Sequence, residues 1–403
     1  IALDPYFRES LVYVAASDDH TVTALDSEVG TAVSTTRVGR FPHCLALDSR
    51  SQDLYVADHL DDTVTVLAAN RHHDLYFRDN FEDQGQFPTG GGFSASPDLI
   101  PSGTRPVENP QQRFRDSWQQ DVGEDLVAGE KNYVYVRGRN LSSTAAEGKV
   151  QLHYSKGSLL LWPDRWRHQI VRTETGADHV EIRASGNGEI AVGEAPFHFD
   201  PALVEGDHYC FIGRMVTELN PNPVPEVANL HDFVRYVALR PGVVWRNIHH
   251  IAANDIPDWT REVQFALADP DEREIHFYLQ CINCPVGAEV AFHCGTPGPD
   301  PLIRLERTKI SRSTRFTAGM HSLVPGHFPG PGQQTAISVT FWRNGQRVPN
   351  DARVTLNAAK IFSADHELAP LGVPPESLGL PASLVEDCQS RAVVLGQFEW
   401  RIG

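Results

Sequence analysis

Leu11-Val12-Tyr13-Val14-Ala15 returns 42 residues later as Asp53-Leu54-Tyr55-Val56-Ala57. His20-Thr21-Val22-Thr23-Ala24-Leu25-Asp26 returns at the same offset as Asp62-Thr63-Val64-Thr65-Val66-Leu67-Ala68. Each copy reads as two short alternating strands joined by a polar turn, the period-2 pattern of a sheet. A repeat of about 40–50 residues built this way marks blade-like sheets, each too small to bury both faces alone. The repeat stops after residue 69, so fewer than two blades are written, whereas a closed propeller holds typically 4–8. The blades are therefore expected to find neighbours in another chain, in the domain that follows, or in sequence beyond this chain.

Leu54-Tyr55-Val56-Ala57-Asp58, followed by Asp62-Thr63-Val64-Thr65-Val66-Leu67, resembles the YVTN-type (NHL-like) β-propeller blade of bacterial surface and secreted proteins. The resemblance covers about residues 3–69, under a fifth of the chain.

At 403 residues the size prior is two or three domains. Hydrophobic residues make up 41% and charged residues 22%, the mix of a globular protein with a real core. No run of 18 apolar residues occurs, so no membrane span is expected. The chain begins at Ile1 rather than Met, and removal of a leader or a larger N-terminal part is expected. The net charge is −17, with only five Lys among the 35 basic residues. Such a surface repels phosphate backbones, which argues against nucleic acid as a partner. Six cysteines are too sparse for a disulfide-built scaffold.

Period-2 alternation continues beyond the blades, for example in Tyr133-Val134-Tyr135-Val136-Arg137 and Ala336-Ile337-Ser338-Val339-Thr340-Phe341. Turn signals such as Ser185-Gly186-Asn187-Gly188 and Arg343-Asn344-Gly345 separate these runs. Helices are expected only in short stretches, 376–380 and 381–388. The expected fold is all-β: a partial propeller-like segment over residues 1–76 and two Ig-like β-sandwiches over 77–252 and 253–403. Residues 77–130, with Pro88-Thr89-Gly90-Gly91-Gly92 and Ser102-Gly103-Thr104-Arg105-Pro106, read as an irregular linking stretch.

Tyr76-Phe77-Arg78-Asp79-Asn80, Ser96-Pro97-Asp98-Leu99-Ile100, Tyr133-Val134-Tyr135-Val136-Arg137-Gly138-Arg139-Asn140 and Leu161-Trp162-Pro163-Asp164 are similar to a module of large bacterial extracellular proteins. Its Tyr-Val-Arg-x-Arg-Asn core resembles the CARDB-like adhesion and Ig-like domains appended to bacterial proteases and surface proteins. The resemblance spans about residues 75–252. It implies a β-sandwich that positions or adheres, in an extracellular or cell-surface setting, and it brings no catalytic residue. It departs from the usual order in that only blades, and no catalytic domain, precede the module.

Three groups of residues are candidates for chemistry. In Asp79-Asn80-Phe81-Glu82-Asp83-Gln84-Gly85, Asp79 and Asp83 with Asp98 offer oxygens for calcium, which takes six to eight; the alternative is a solvated Asx turn. Cys281, Cys284, His293 and Cys294 have the ligand types of zinc. The weightier alternative for them is buried thiols or a disulfide, with Cys281 and Cys294 as cross-strand neighbours. Trp162 and Trp166 flank Pro163-Asp164-Arg165, and on a sandwich rim they could stack a glycan; as core plugs they would not. His72-His73 and His249-His250 are adjacent and point to opposite faces of a strand. No Gly-x-Ser-x-Gly, His-Glu-x-x-His or Walker loop occurs, so no enzyme activity is expected. The function expected is a non-enzymatic structural or adhesive module of a bacterial extracellular or surface assembly, with a protein partner or a second copy met through residues 1–69. The alternatives are a calcium-dependent carbohydrate binder and the C-terminal accessory part of a larger secreted hydrolase.

Overall fold

The computed structural model describes the chain except residues 4–10, 90–91, 128, 157–158, 201–208, 228, 249–257, 267–274, 295–302, 324–333, 381–388 and 403. His249, His250, Cys388 and the helix expected over 381–388 therefore lie outside the described residues. The fold is all-β, with several antiparallel sheets.

The 42-residue repeat folds as two small sheets. The first blade pairs Ala2–Leu3, Leu11–Ala16, Thr21–Asp26 and Thr31–Arg37 in that order, and the second pairs Pro42–Asp48, Asp53–Asp58 and Thr63–Ala68. The repeat holds in the backbone as well. His20 and Asp62, 42 positions apart, both close their hairpins at positive φ, 58° and 53°. This left-handed region is disfavoured for ordinary side chains and is where tight turns place such residues.

Residues 75–248 form one ten-stranded sheet rather than two facing ones. Its order runs Ile190–Val192, Asn132–Asn140, Phe197–Phe199, Ile170–Thr173, Ala146–Lys156, Tyr209–Thr217, Val243–Ile248, with Leu75–Tyr76, Leu99–Pro101 and Val180–Ala184 as side pairings. Its strands wrap around Val134, Val136, Val150, Leu152, Ile182 and Phe211, all fully buried. The stretch 77–130 is not a solvated tether. Arg78, Asp98, Leu99 and Ile100 are buried, and Pro110–Asp116 forms a short helix seated by Phe114 on Tyr135.

The C-terminal region is a two-sheet sandwich. One sheet orders Asp258–Ala266, Gln334–Trp342, Glu289–Cys294 and Ile303–Lys309; the other orders Arg315–Leu323, Ile275–Ile282, Arg353–Phe362 and Arg391–Arg401. Alternate residues of both, among them Val263, Ile337, Val339, Phe277, Leu279, Leu356 and Phe398, fill the space between.

A helix missing from the sequence expectations, Leu230–Ala238, joins these parts. Leu230, Phe233, Val234 and Val237 recur at helical spacing, and the Asn229 side chain accepts from the Asp232 N–H at 2.8 Å as N-cap. One apolar core runs from the first blade past this helix into the C-terminal sandwich.

Candidate functional site

The blades are anchored to the rest of the chain by polar contacts that only the tertiary fold assembles. Arg235 on the helix donates to both oxygens of Asp26 in the first blade, at 2.8 and 2.5 Å, with both side chains buried. Asn220 brackets Thr35, accepting from its N–H at 2.7 Å and donating to its carbonyl at 3.0 Å. His72 is buried between the Ser34 hydroxyl (2.9 Å) and the Leu75 carbonyl (3.2 Å), and burial pulls its pKa down to about 4. These contacts hold the first blade from the side of the middle sheet.

The blades also cover one another, and they do so in one sense. In a strand, alternate side chains share a face. Leu11, Tyr13, Val22 and Ala24 lie on one face of the first blade and are buried. Leu45, Leu47, Leu54, Val56 and Leu67 lie on the opposite type of face of the second blade and pack into the same core. Tyr13 Oη donates to the Ala69 carbonyl at 2.9 Å across the contact.

The other face of the second blade remains open. It carries Cys44, Ala46, Tyr55, Ala57, Val64 and Val66; Tyr55 is 41% exposed, Val66 53% and Val64 60%. Thr63–Ala68 is also an edge strand, and among the described residues no strand pairs with its outer side. Beside it runs an open groove toward Ser142–Lys149 of the middle sheet, lined with Thr65, Arg37, Lys149 and Glu218. An apolar sheet face next to an unpaired edge is what native proteins ordinarily cover.

The residues singled out from sequence have other surroundings. Asp98 is fully buried between two guanidinia: Arg78 reaches it through Nε at 3.1 Å and Nη2 at 2.5 Å, and Arg137 through Nε at 3.1 Å. The Trp118 ring lies 3.2 Å from the Arg78 guanidinium carbon, a cation–π contact. Asp98 thus neutralises two arginines and does not complete a calcium shell with Asp79 and Asp83. Asp83 accepts from the N–H groups of Asp79 (2.9 Å) and Gly85 (2.7 Å), and burial lifts its pKa to about 6. Asp79 is pushed well up by burial and by Asp83. These two carboxylates close a buried turn.

Trp162 and Trp166 are core residues, not rim platforms. Trp162 packs on Phe233 with centroids 4.5 Å apart, and Trp166 meets His153 at 5.2 Å while its Nε1 donates to the Leu161 carbonyl. Cys281 and Cys294 are not cross-strand neighbours, because Ile275–Ile282 and Glu289–Cys294 belong to opposite sheets of the sandwich. Cys281 and Cys284 are buried free thiols, and Cys294 is buried as well. A hydrogen bond to Cys284, with burial, raises the Cys281 thiol well above its ordinary range. His293 points outward on the face away from Cys294, so the four do not converge as zinc requires.

Among the described residues, one group of His, Cys and carboxylate side chains converges closely enough for an ion: Glu28, His231 and Glu367, with ligand atoms within 4.8 Å of one another. His231 Nε2 lies 3.1 Å from Glu28 and 3.4 Å from Glu367, and Nδ1 lies 3.4 Å from Asp232. No local pattern marks this group, since its members come from three distant segments.

No family model matches the chain, and no curated protein matches it. Among solved structures it is similar to a red sea bream transglutaminase at 9% identity and TM-score 0.17, over 63% of this chain and 32% of that one. The chain thus spans about a third of the transglutaminase's length. It is also similar to the serine-rich repeat protein Srr2 of Streptococcus agalactiae (8% identity, TM-score 0.13, 57% of this chain and 81% of that one). A structure described as manganese lipoxygenase of Gaeumannomyces graminis with partial zonadhesin of Komagataella pastoris gives 8% identity and TM-score 0.17, over 76% and 96%. TM-scores this low carry no functional argument, so function rests on the chain's own residues.

Proposed function

We propose that the chain is a non-enzymatic structural or adhesive module of a bacterial extracellular or cell-surface assembly, associating through the second blade. The observation that carries this reading is the open apolar face of Cys44, Ala46, Tyr55, Val64 and Val66 beside the unpaired edge Thr63–Ala68. That surface sits on a blade joined to the first by the Tyr13–Ala69 hydrogen bond and a shared apolar core, so presenting it costs little ordering on association. The CARDB-like sequence resemblance of residues 75–252 implies the same role and the extracellular setting, although their strands form one ten-stranded sheet. The glycan alternative loses its support, because Trp162 and Trp166 are enclosed.

The test is a photo-crosslinking amino acid at Val66 in the protein expressed in its native host, with adducts identified by mass spectrometry. Adducts to a defined protein, self or other, are expected. Recovery of only unlinked chain, with linkers at Val64 and Tyr55 equally silent, refutes the reading.

A further inference from the structure

The open face of the second blade has a counterpart within the chain, and the counterpart identifies what covers it. At the 42-residue offset Tyr55, Val64 and Val66 correspond to Tyr13, Val22 and Ala24. Those three are 2%, 3% and 5% exposed, because the second blade lies on them. The covering surface includes Leu54, Val56 and Leu67, whose own counterparts in the first blade are Val12, Val14 and Leu25. Val12, Val14 and Leu25 share the far face of the first blade and are only half-buried. Each half of the internal blade-to-blade contact is thus written a second time, and among the described residues the second copies do not meet one another.

We infer that the open face of the second blade is covered by the far face of the first blade of a second copy of this chain. Tyr55, Val64 and Val66 of one protomer meet Val12, Val14 and Leu25 of the next, in the same sense as Tyr13, Val22 and Ala24 meet Leu54, Val56 and Leu67 within the chain. The inference rests on the proposed assembly role and specifies its partner. Such a contact is head-to-tail, so it propagates into a closed ring or an open filament rather than stopping at a symmetric dimer. The side chains at its centre are uncharged, and the long-range repulsion from a net charge of −17 is screened beyond about 8 Å at physiological salt.

The experiment is sedimentation of the whole chain at physiological salt over a hundredfold concentration range, with two variants. Val64→Lys with Val66→Lys disables the open face; Val14→Lys with Leu25→Lys disables the far face of the first blade. Near-UV circular dichroism and thermal unfolding confirm that both fold, and a first-blade variant that does not is replaced by Val14→Thr. The wild type is expected to grow in mass with concentration. Each variant alone stays monomeric, and an equimolar mixture reaches the dimer and no further, since one productive interface remains. A wild type that stays monomeric throughout overturns the inference. So does a first-blade variant that associates as well as the wild type, which would mean that open faces meet each other. Either result leaves the assembly role to its own crosslinking test, in which adducts to another protein uphold that role and adducts to none refute it.

Discussion

Replacing Asp98 by Asn should destabilise the middle sheet strongly. The Asp98 carboxylate accepts from the Arg78 N–H at 2.9 Å, Arg78 Nε at 3.1 Å, Arg78 Nη2 at 2.5 Å and Arg137 Nε at 3.1 Å. Both guanidinia are buried. Asparagine keeps one acceptor oxygen and turns its amide hydrogens toward cationic donors. The remaining partners soften the loss. Arg137 also donates to the carbonyls of Phe114, Ser117, Pro97 and Gln120, and Arg78 to that of Trp118. Removing one member of a buried ion pair costs about 3–5 kcal/mol. Here one anion serves two cations, while carbonyl dipoles offset part of the change, so the same range of about 3–5 kcal/mol is expected. That is at least about a fifth of the roughly 5–15 kcal/mol typical of a domain. The assay is urea unfolding at pH 7 followed by near-UV circular dichroism, together with hydrogen exchange at Asn132–Asn140. Exchange localises the effect even if the chain unfolds in more than one step. Glu174→Gln, which breaks the exposed Lys131–Glu174 pair, is the control and should leave the midpoint unchanged. A loss for Asp98→Asn below about 1 kcal/mol, the ordinary worth of one neutral hydrogen bond, would refute the account of Asp98 as the shared counter-ion.

Other outcomes follow from buried groups. Burial lowers the His72 pKa from its ordinary value to about 4, so the unfolded chain binds the extra proton first. The stability advantage of wild type over His72→Gln should be full above about pH 6.5 and shrink as pH falls to 4, read from paired denaturation curves; an advantage independent of pH contradicts a neutral His72 between Ser34 and Leu75. Trp166→Ala should cost about 3–5 kcal/mol, as for large core truncations, measured by urea midpoint, whereas a variant of wild-type stability would return Trp166 to the surface. Of the described cysteines, Cys44 is exposed and Cys210, Cys281, Cys284 and Cys294 are buried. One rapid thiol equivalent is therefore expected at Cys44 with a maleimide at concentrations too low for association, apart from any at Cys388, and modification of Cys281 in the native state would contradict its burial.

The all-β fold, the two small repeated sheets and most strands of the C-terminal sandwich were legible because alternation and turn residues are local properties. A side chain's face in a strand depends on its immediate neighbours, and Tyr13 and Tyr55 could be matched across 42 positions for that reason. The helix Leu230–Ala238 is equally legible in its spacing and its Asn229 cap. The candidate sites were not legible, because residue type alone does not say what a side chain will meet. Asp98 finds its partners 20 and 39 positions away, and those partners are cations, which turns a calcium ligand on paper into a counter-ion. Trp162 and Trp166 are enclosed only because Phe233 and His153 arrive from other elements. Cys281 and Cys294 are separated because consecutive strands of a sandwich can enter different sheets. The contrast between Tyr13 and Tyr55 divides the two levels most plainly. The sequence by itself determined that both blades carry the same apolar face; only the stacking of one blade on the other decided which copy is covered and which is left open.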